Sequence, residues 1–359
     1  MALHQTARHD TARNGVVLDG VTPPPILERT RALVVPALRA AIDRFDGEQM
    51  RSIASYHFGW LDADGRPTGG GGGKAIRPTL AVLSAEAGGG AAADGIPAAV
   101  AVELVHNFSL LHDDIMDRDV ERRHRPTAWV VFGEGQAILA GNAMLTAAVD
   151  VLVRDGAAGV RALPSLLAAV ERLINGQSAD LALGSRPRVD LHEVLTMEAG
   201  KTAALLACSA SIGAIAAGAD DAVVEGLAAY GHELGMAFQL VDDILGITGD
   251  AATTGKSSSS DVRAGKRSAP IVAALMSGTH AAAELGRVLA GGAPTNDDDV
   301  THVTKLIDEA GGLDWAAHEA DRRLALALAH LDALEPLGAP AAATSGLASL
   351  AHYVVERDR

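Results

Sequence analysis

Apolar residues recur at spacings of three and four along most of this 359-residue chain. That spacing places them on one face of an α-helix, whereas a half-buried β-strand alternates apolar and polar residues. The sequence has no convincing series of alternating β-branched residues and no short internal repeat. We therefore expect an all-α helical bundle rather than a parallel α/β sheet. The clearest helical stretches are Leu80–Ala87, Val100–His112, Gly135–Val153, Ala199–Ile215 and Val223–Leu245.

Composition limits the partners and the compartment of the protein. The net charge of −15 argues against binding to nucleic acid, which needs a basic surface. The single cysteine, Cys208, lies in an apolar stretch and is expected to be a buried thiol. The N-terminus has no apolar signal core, and no later stretch has about eighteen uninterrupted apolar residues. We therefore expect a cytoplasmic protein with no membrane span.

Three polar stretches divide the sequence. Residues 1–25 are mixed in charge and end in three prolines, which predicts a disordered segment ahead of a single all-α domain at 26–359. Residues 62–73 are rich in glycine and predict a flexible loop. Residues 249–265 follow an aspartate-rich helix, and their length predicts a functional flap.

Two aspartate clusters lie on apolar predicted helices. In the first, Asp113 and Asp117 lie one turn apart on the same helical face, with Asp114 beside them. Carboxylates this close repel one another unless a cation neutralises them, and an oxygen-rich set favours Mg²⁺. The second cluster begins at Asp242. A solvated acidic helix end is the alternative, but both clusters follow residues expected to face a core. We therefore predict Mg²⁺ that bridges to a phosphorylated substrate.

Basic residues accompany both clusters. Lys74 and Arg77 are three residues apart in GKAIRP, on one side of a predicted helix, where such a pair can clamp a diphosphate. Arg122 and Arg123 follow the first cluster, and guanidinium groups match phosphate oxygens in a bidentate manner. Each residue alone could be ordinary surface charge, but the alternation of cations with carboxylates favours phosphate binding. Further candidate cations are Lys201, Lys256 and Lys266.

Polar residues on the same helical faces extend the predicted site. His106 lies two turns before the first cluster and could donate to a phosphate, although a lone histidine is more often a satisfied polar group. Gln239 precedes the second cluster by three residues and shares its face. Gln177 and Asp180 share a further helical face and could belong to the same cavity.

These motifs together resemble the trans-isoprenyl diphosphate synthases, the polyprenyl synthetase family that includes farnesyl and geranylgeranyl diphosphate synthases. DDIMD at 113–117 is similar to the first aspartate-rich motif of that family, and DDILG at 242–246 is similar to the second. GKAIRP resembles its homoallylic-diphosphate segment. The RRxRPT, GQxxD, KT and GK…SD…GK elements also occur in family order. The set is most like that of a geranylgeranyl diphosphate synthase.

The resemblance implies an isoprenoid synthase-type bundle around a deep central cavity and a homodimeric assembly. It also implies three Mg²⁺ ions, which Mn²⁺ could replace. Asp113 and Asp117 would hold two of these ions, and Asp242 would hold the third.

Two diphosphate substrates are implied as well. An allylic diphosphate, such as dimethylallyl, geranyl or farnesyl diphosphate, would ionise with metal assistance. Isopentenyl diphosphate would attack it, and loss of a proton would complete the condensation. The allylic diphosphate would lie on Arg122, Lys201 and Lys256. The isopentenyl diphosphate would lie on Lys74, Arg77, His106 and Arg123. Further substrate-binding candidates are Thr202, Gln239 and Lys266.

The chain departs from the family pattern at two positions. Gly246 stands where the second motif often has a carboxylate, and His124 stands where glycine is common after the arginine pair. Because Asp242 remains, catalysis is expected to survive the first departure. No chemical consequence is expected from the second.

The resemblance also implies that side chains just before the first aspartate cluster set the product length. Ser109 lies about 40° off the face of Asp113 and is small, so it leaves the pocket open. Phe108 lies about 140° off that face and should narrow the pocket from the side. An aromatic residue at 108 with no insertion inside DDIMD resembles the archaeal-type geranylgeranyl synthases, whereas aromatic residues at both positions would suggest a farnesyl synthase. The resemblance therefore implies a C20 product, geranylgeranyl diphosphate. If Phe108 only packs in the core, C15 and C25 products stay open.

Two other functional classes are compatible with the same fold. A terpene cyclase would ionise one substrate and need no isopentenyl site. A non-catalytic subunit would be expected to have lost aspartates or arginines. The intact set of acids and bases argues against both.

Overall fold

The computed structural model describes residues 23–69, 73–184, 186, 188–249 and 259–356. These residues form the all-α bundle predicted from the apolar periodicity. The helices are α1 (Pro25–Asp43), α2 (Glu48–His57), α3 (Ile76–Ala87), α4 (Ile96–Met116), α5 (Ala128–Phe132), α6 (Glu134–Arg154), α7 (Ala157–Gly184), α8 (Leu191–Glu198), α9 (Ala204–Ala217), α10 (Asp221–Thr248), α11 (Ser260–Arg263), α12 (Ala269–Met276), α13 (His280–Ala290), α14 (Asp297–Glu309), α15 (Gly312–Asp332) and α16 (Ala341–Glu356). Ala92–Gly95 and Glu335–Leu337 form 3₁₀ turns, and a π-helical turn at Ala199–Ala203 joins α8 to α9.

Helix α9 lies between the two largest apolar clusters of the core. One cluster joins α4 to α1, α2, α6 and α7, and the other joins α10 to α3, α15 and α16. Because α9 contributes buried residues to both clusters, it is apolar on nearly every side, as expected of a central helix. The two aspartate-bearing helices, α4 and α10, therefore lie on either side of α9. A third cluster joins α12, α13 and α14.

A short hairpin follows α4. Strands β1 (Glu121–Arg122) and β2 (Arg125–Pro126) pair antiparallel, and they form the only sheet in the described part of the chain. The turn residues Arg123 and His124 both have positive φ, 54° and 58°. Two such residues make a type I′ hairpin turn, which glycine and asparagine adopt more easily than histidine. The departure at His124 therefore has a conformational cost that the sequence did not reveal.

Residues 62–69, the first part of the predicted flexible loop, form a compact hydrogen-bonded turn. Asp62 Oδ1 accepts hydrogen bonds from the backbone N–H groups of Asp64 (2.9 Å) and Arg66 (2.8 Å). The Thr68 N–H donates to the Trp60 carbonyl oxygen at 3.1 Å. The glycines at 70–72, the segment 1–22 and the part of the predicted flap at 250–258 lie outside the described residues.

Two helical stretches have the length and composition of a membrane span, although neither is an uninterrupted apolar run. In Leu191–Ala217, 67% of the apolar window is buried, as in a core helix of a soluble protein. In Glu134–Arg154, which is α6, only 33% of the window is buried. By length and composition alone, these two helices could each cross a membrane. Most of the apolar window of α6 is not buried within the protein.

Candidate active site

The C-terminal end of α4 brings Asp113 and Asp117 together. Asp113 lies in the last turn of the helix, and the N–H of Asp117, the C-cap residue, donates to the Asp113 carbonyl oxygen at 2.8 Å. Burial raises the pKa of the Asp113 carboxyl, while Lys201 lowers it and Asp117 raises it. The helix dipole also disfavours negative charge at this end of a helix. The pair therefore requires nearby cations.

Asp114 differs from Asp113 and Asp117 because it forms a buried ion pair with Arg122. Its side chain is 1% exposed, and its Oδ1 accepts a hydrogen bond from Arg122 Nε at 2.7 Å. Burial raises the pKa of Asp114 to about 6, although Arg122 acts to lower it. Arg122, which the family resemblance assigns to the allylic diphosphate, is thus held by a buried carboxylate.

One cavity, of about 250 Å³, lies between α7, the π-helical turn and α10. We call it the lysine cavity. Lys201 Nζ lies 2.5 Å from Asp180 Oδ2 in its wall. Burial acts to lower the pKa of Lys266, but Asp261 and Asp117 raise it above its usual value. The polar residues that line the lysine cavity include Lys74, Asp180, Lys201, Thr202, Gln239, Asp242, Asp261 and Lys266.

The π-helical turn sets the position of Lys201. A π-turn inserts one extra residue into a helix, and such turns are frequent at functional sites. Here the turn lies directly against α7, because a Cβ added at Gly176 would be 2.2 Å from the Lys201 backbone nitrogen. The glycine therefore permits a contact between two backbones, and this contact fixes where the lysine side chain starts.

A chain of buried hydrogen bonds supports the wall of the lysine cavity. The Thr202 hydroxyl donates to Gln239 Oε1 at 2.6 Å, and Gln239 Nε2 donates to Asp243 Oδ1 at 2.7 Å. Asp243 Oδ2 accepts from the Ala269 N–H at 3.2 Å. Burial, and then Asp261, raise the pKa of Asp243 to about 7. The sequence pattern did not identify this role for Asp243.

Glu198 is a further buried carboxyl that the sequence did not identify. It is 3% exposed at the end of α8 and hydrogen-bonds to Asp243. Burial, and then the charge of Asp243, raise the pKa of Glu198 well above its usual range. Two buried carboxyl groups therefore lie together where α8 meets α10.

A second cavity, of about 240 Å³, lies across Asp242 from the first, and we call it the arginine cavity. It brings together all four residues that the resemblance assigns to isopentenyl diphosphate. Arg77 Nε is buried with no hydrogen-bond partner among the described residues. The polar residues that line the arginine cavity are Lys74, Arg77, Glu103, His106, Arg123 and Asp242.

The backbone at Lys74 differs from the prediction. Helix α3 begins at Ile76, and Ala75 has a positive φ of 55°, so Lys74 precedes the helix rather than sharing a helical face with Arg77. The glycines before Lys74 gave no signal for the start of α3, so the sequence placed that start before Lys74 instead of at Ile76. Lys74 lines both the lysine cavity and the arginine cavity.

The imidazole of His106 is neutral in the arginine cavity. Burial lowers its pKa well below the usual value, and the charges of Arg77 and Arg123 lower it further. Glu103, on the same helix, is 8% exposed, and its Oε1 accepts a hydrogen bond from Asn107 Nδ2 at 3.0 Å. Glu103 therefore offsets part of the positive charge of the arginines.

His57 is a second imidazole near the arginines, and no sequence signal identified it. It lines a cavity of about 260 Å³ with Arg122, Arg123 and Arg125, which we call the hairpin cavity. Burial, and then the charges of Arg123 and Arg122, lower the pKa of His57 to about 3. Its Nε2 is buried without a hydrogen-bond partner among the described residues.

The residues predicted to set product length are both buried. Ser109 is 9% exposed, and its hydroxyl donates to the His106 carbonyl oxygen at 2.8 Å. Phe108 is 6% exposed and lies edge-on to the His112 ring, with ring centroids 4.8 Å apart. Neither residue lines the lysine, arginine or hairpin cavity. Their effect on product length stays a prediction.

The Asp261 carboxylate lies against Gly246, the fifth residue of the second motif. A Cβ added at Gly246 would lie 2.5 Å from Asp261 Oδ2. The Asp261 carboxylate, which lines the lysine cavity, thus occupies the space above this glycine. A carboxylate is therefore present beside the second motif although residue 246 does not supply it.

The donor set fits a divalent metal that is shared with a phosphate. No group of three or more His, Cys, Asp or Glu side chains among the described residues could hold an ion alone. Mg²⁺ typically takes one or two carboxylates and completes its shell with water and substrate phosphate. Asp113, Asp117 and Asp242 supply hard oxygen ligands of this kind. Lys256 lies outside the described residues.

Comparison with known proteins identifies the family of the chain. The polyprenyl synthetase family profile matches residues 62–307. The chain is 46% identical over 337 residues to the (2E,6E)-farnesyl diphosphate synthase of Mycobacterium tuberculosis, covering 93% of each protein. It is 44% identical over 308 residues to a geranylgeranyl diphosphate synthase of the same organism, covering 85% of this chain and 88% of that protein.

Solved structures share the fold. The polyprenyl synthetase of Streptomyces coelicolor A3(2) has a TM-score of 0.87 and 48% identity, over 92% of this chain and 99% of that one. A polyprenyl synthase of Caulobacter crescentus CB15, complexed with calcium and isoprenyl diphosphate, has a TM-score of 0.80 and 28% identity, over 93% and 97%. The chain belongs to the polyprenyl synthetase family, and it is a prenyltransferase.

Proposed function

We propose that the protein condenses isopentenyl diphosphate with an allylic diphosphate and releases geranylgeranyl diphosphate, a linear C20 product. The observation that carries the proposal is the pair of cationic cavities with Lys74 and Asp242 in their common wall. Two diphosphate substrates need two separate groups of cations, and joining the substrates requires the groups to be adjacent. A terpene cyclase, which ionises a single diphosphate, would have no use for the arginine cavity.

We propose that three Mg²⁺ ions bind with the allylic diphosphate, held by Asp113 and Asp117 on one side and by Asp242 on the other. Mn²⁺ could substitute, because it accepts the same oxygen ligands. The calcium in the Caulobacter relative supports a divalent ion. When bound, the ions would neutralise the leaving diphosphate.

The side chains of the protein would bind and orient the two substrates. Lys201 and Lys266 would contact the allylic diphosphate, and Arg77 and Arg123 would clamp the isopentenyl diphosphate. His106, being neutral, would donate one hydrogen bond without adding charge. Apolar walls would exclude the water that otherwise captures an allylic cation. The released diphosphate would accept the proton that the condensation product loses.

The C20 product rests on the small side chain at Ser109, which leaves room for a growing tail, and on the 44% identical geranylgeranyl relative. A C15 product is the second candidate, because a 46% identical relative is a farnesyl diphosphate synthase. The two differ by a single further condensation in the same pocket.

We also propose that α6 and α7 form the interface of a cytoplasmic homodimer. Val160, Leu167, Ile174 and Leu181 recur every seven residues along α7 and are 52%, 49%, 50% and 50% exposed. A seven-residue repeat of apolar side chains is typical of helix–helix packing. Helix α6 packs on both α4 and α7, and it exposes Leu139 (54%) and Val153 (51%). A second copy would cover both helices.

Product analysis tests the proposal. The purified protein is incubated with Mg²⁺, isopentenyl diphosphate and dimethylallyl, geranyl or farnesyl diphosphate in turn, and the dephosphorylated alcohols are sized. We expect C20 as the longest main product from all three starters. A longest product of C15 would favour farnesyl diphosphate synthase. Conversion of a starter to a hydrocarbon without isopentenyl diphosphate would contradict the proposal. Light scattering of the native protein measures the assembly state.

A further inference from the structure

We propose that Gly141 and His112 help to set the product length by fixing the position of the Phe108 ring. The inference rests on the proposed function, because it concerns the pocket in which the prenyl tail would grow. It assigns a role in specificity to two residues that lie outside both diphosphate-binding cavities.

The His112 imidazole occupies a slot on the surface of α6. Its Nε2 lies 3.1 Å from the Ile138 carbonyl oxygen, within hydrogen-bond distance. Residue 141 is one helical turn further along α6, and a Cβ added at Gly141 would lie 2.5 Å from His112 Nε2 and 2.7 Å from Cδ2. The slot therefore exists only because residue 141 has no side chain.

The same imidazole braces Phe108. The two rings are 4.8 Å apart between centroids and inclined by 71°, an edge-to-face arrangement that aromatic rings favour. Phe108 precedes His112 by one turn, so both side chains lie on the face of α4 that packs on α6. The position of the Phe108 ring therefore depends on how deeply the imidazole enters the slot.

The neighbouring residue, Ser109, lies on a different face of α4, the one nearer to Asp113. In this proposal, a Phe108 ring that stays beside the His112 imidazole leaves the side of α4 at Ser109 to a tail that would extend from the metal site. A ring pushed away from α6 would enter that space. Occupying the Gly141 slot should thus shorten the product.

The test is Gly141→Ala, with Gly135→Ala as the matched control. Real Cβ atoms do not approach other atoms to 2.5 Å, so the imidazole must move, and the Phe108 ring moves with it. Gly135 lies on the same helix, and a Cβ there would meet nothing within 4 Å. We expect Gly141→Ala to lower the ratio of the longest product to the product one isoprene unit shorter by about tenfold. The control should leave this ratio unchanged.

A Phe108→Ala background tests whether the effect passes through the ring. Without the ring, Gly141→Ala should have no further effect on product length, because the two changes act on one pathway. If Gly141→Ala does not fold, His112→Asn takes its place. That change removes the brace, lets the Phe108 ring relax towards α6, and should lengthen the product.

The outcomes separate the inference from the function. An unchanged length distribution in folded Gly141→Ala, or an equal shift in the Phe108→Ala background, overturns the inference alone. A length distribution unchanged by His112→Asn, where that variant replaces Gly141→Ala, does the same. A wild-type protein that elongates no allylic starter overturns the proposed function and the inference with it.

Discussion

Lys201 Nζ lies 2.5 Å from Asp180 Oδ2 in the wall of the lysine cavity, and both side chains are about a quarter exposed, 23% and 28%. Such a partly exposed pair is worth about 1 kcal/mol or less, so an incoming diphosphate can compete for the lysine. In the arginine cavity, Arg77 Nε has no hydrogen-bond partner among the described residues. Each cavity thus offers a cation to one diphosphate.

The two cavities should separate kinetically. Lys201→Ala should mainly raise the KM for the allylic substrate, and Arg77→Ala should mainly raise the KM for isopentenyl diphosphate, because each change removes a contact to one diphosphate. Steady-state kinetics with each substrate varied in turn measures both constants. Equal effects of one variant on both substrates would show that the cavities do not bind separate ligands.

Asp113→Ala should abolish most of the activity and the response to Mg²⁺. The methyl group can neither hold the ion nor balance its charge, and loss of one such charge stabiliser commonly costs about 10²-fold or more in kcat. Turnover is measured across a Mg²⁺ titration. Asp298→Ala, an exposed aspartate of α14, is the control and should match the wild type. Near wild-type turnover of Asp113→Ala at saturating Mg²⁺ would rule out the assigned role.

Gln239→Leu should destabilise the protein by about 1–3 kcal/mol, because it leaves the Thr202 hydroxyl and Asp243 Oδ1 without the hydrogen bonds that they make to Gln239. The free energy of unfolding is measured by urea denaturation. Gln49→Leu, on the exposed face of α2, is the control and should change it little. No loss in Gln239→Leu would mean that water or another side chain replaces both hydrogen bonds.

His57→Gln should make the stability less dependent on pH. The folded pKa of His57, about 3, lies below the usual value of 6.5. Between these values the unfolded chain binds a proton that the folded protein does not, so acid destabilises the wild type by about 1.4 kcal/mol per pH unit through this group. The stabilising effect of a neutral His57 is complete above its unfolded pKa and falls as pH drops.

The measurement for His57 is urea unfolding at about pH 7.5 and about pH 5. The wild type should lose up to about 2 kcal/mol more than His57→Gln between the two conditions. The comparison cancels the contribution of Asp114, whose pKa of about 6 lies above its usual value and has the opposite sign. Parallel pH profiles of the two proteins would show that folding does not change the pKa of His57, which would contradict the prediction.

Ser109→Phe should shift the product from C20 towards C15 or C10. The ring would stand about one helical turn from Asp113, and a tail extending past it would overpack the pocket by about 1–3 kcal/mol. That barrier slows the next addition by about tenfold or more. The first condensation should be largely kept, and sizing the alcohols measures the shift. An unchanged C20 distribution from a folded, active variant would contradict a tail channel beside Ser109.

The helical fold could be predicted because the spacing of apolar residues follows the period of the α-helix, which is a property of local backbone geometry. The sequence placed the first aspartate cluster at the end of α4 for the same reason, since Asp113 and Asp117 are close in sequence. The cations of the arginine cavity were identified as phosphate-binding candidates from their residue types and spacing. That they form one site was predicted only through the family resemblance, because Arg77 and Arg123 meet through tertiary packing.

The parts that sequence reasoning missed depend on contacts between distant segments. Nothing around His57 distinguishes it from a surface histidine until the hairpin at Arg122–Arg125 is folded beside it. The hydrogen bond between Glu198 and Asp243 likewise joins residues that the chain brings together only after α9 is in place. The early start assigned to α3 came from reading Lys74 as helical, whereas Ala75 adopts a left-handed conformation.

The type I′ turn at Arg123 and His124 has a consequence for binding entropy. Left-handed backbone costs a non-glycine residue about 1–2 kcal/mol, and the folded protein bears this cost before any ligand arrives. The turn is held in place by neighbouring bonds, among them Tyr56 Oη to the Pro126 carbonyl oxygen at 2.7 Å. A diphosphate that reaches Arg123 therefore loses little affinity to ordering the backbone. A glycine at 124 would relieve the strain but restore that disorder, so stability and affinity would move in opposite directions.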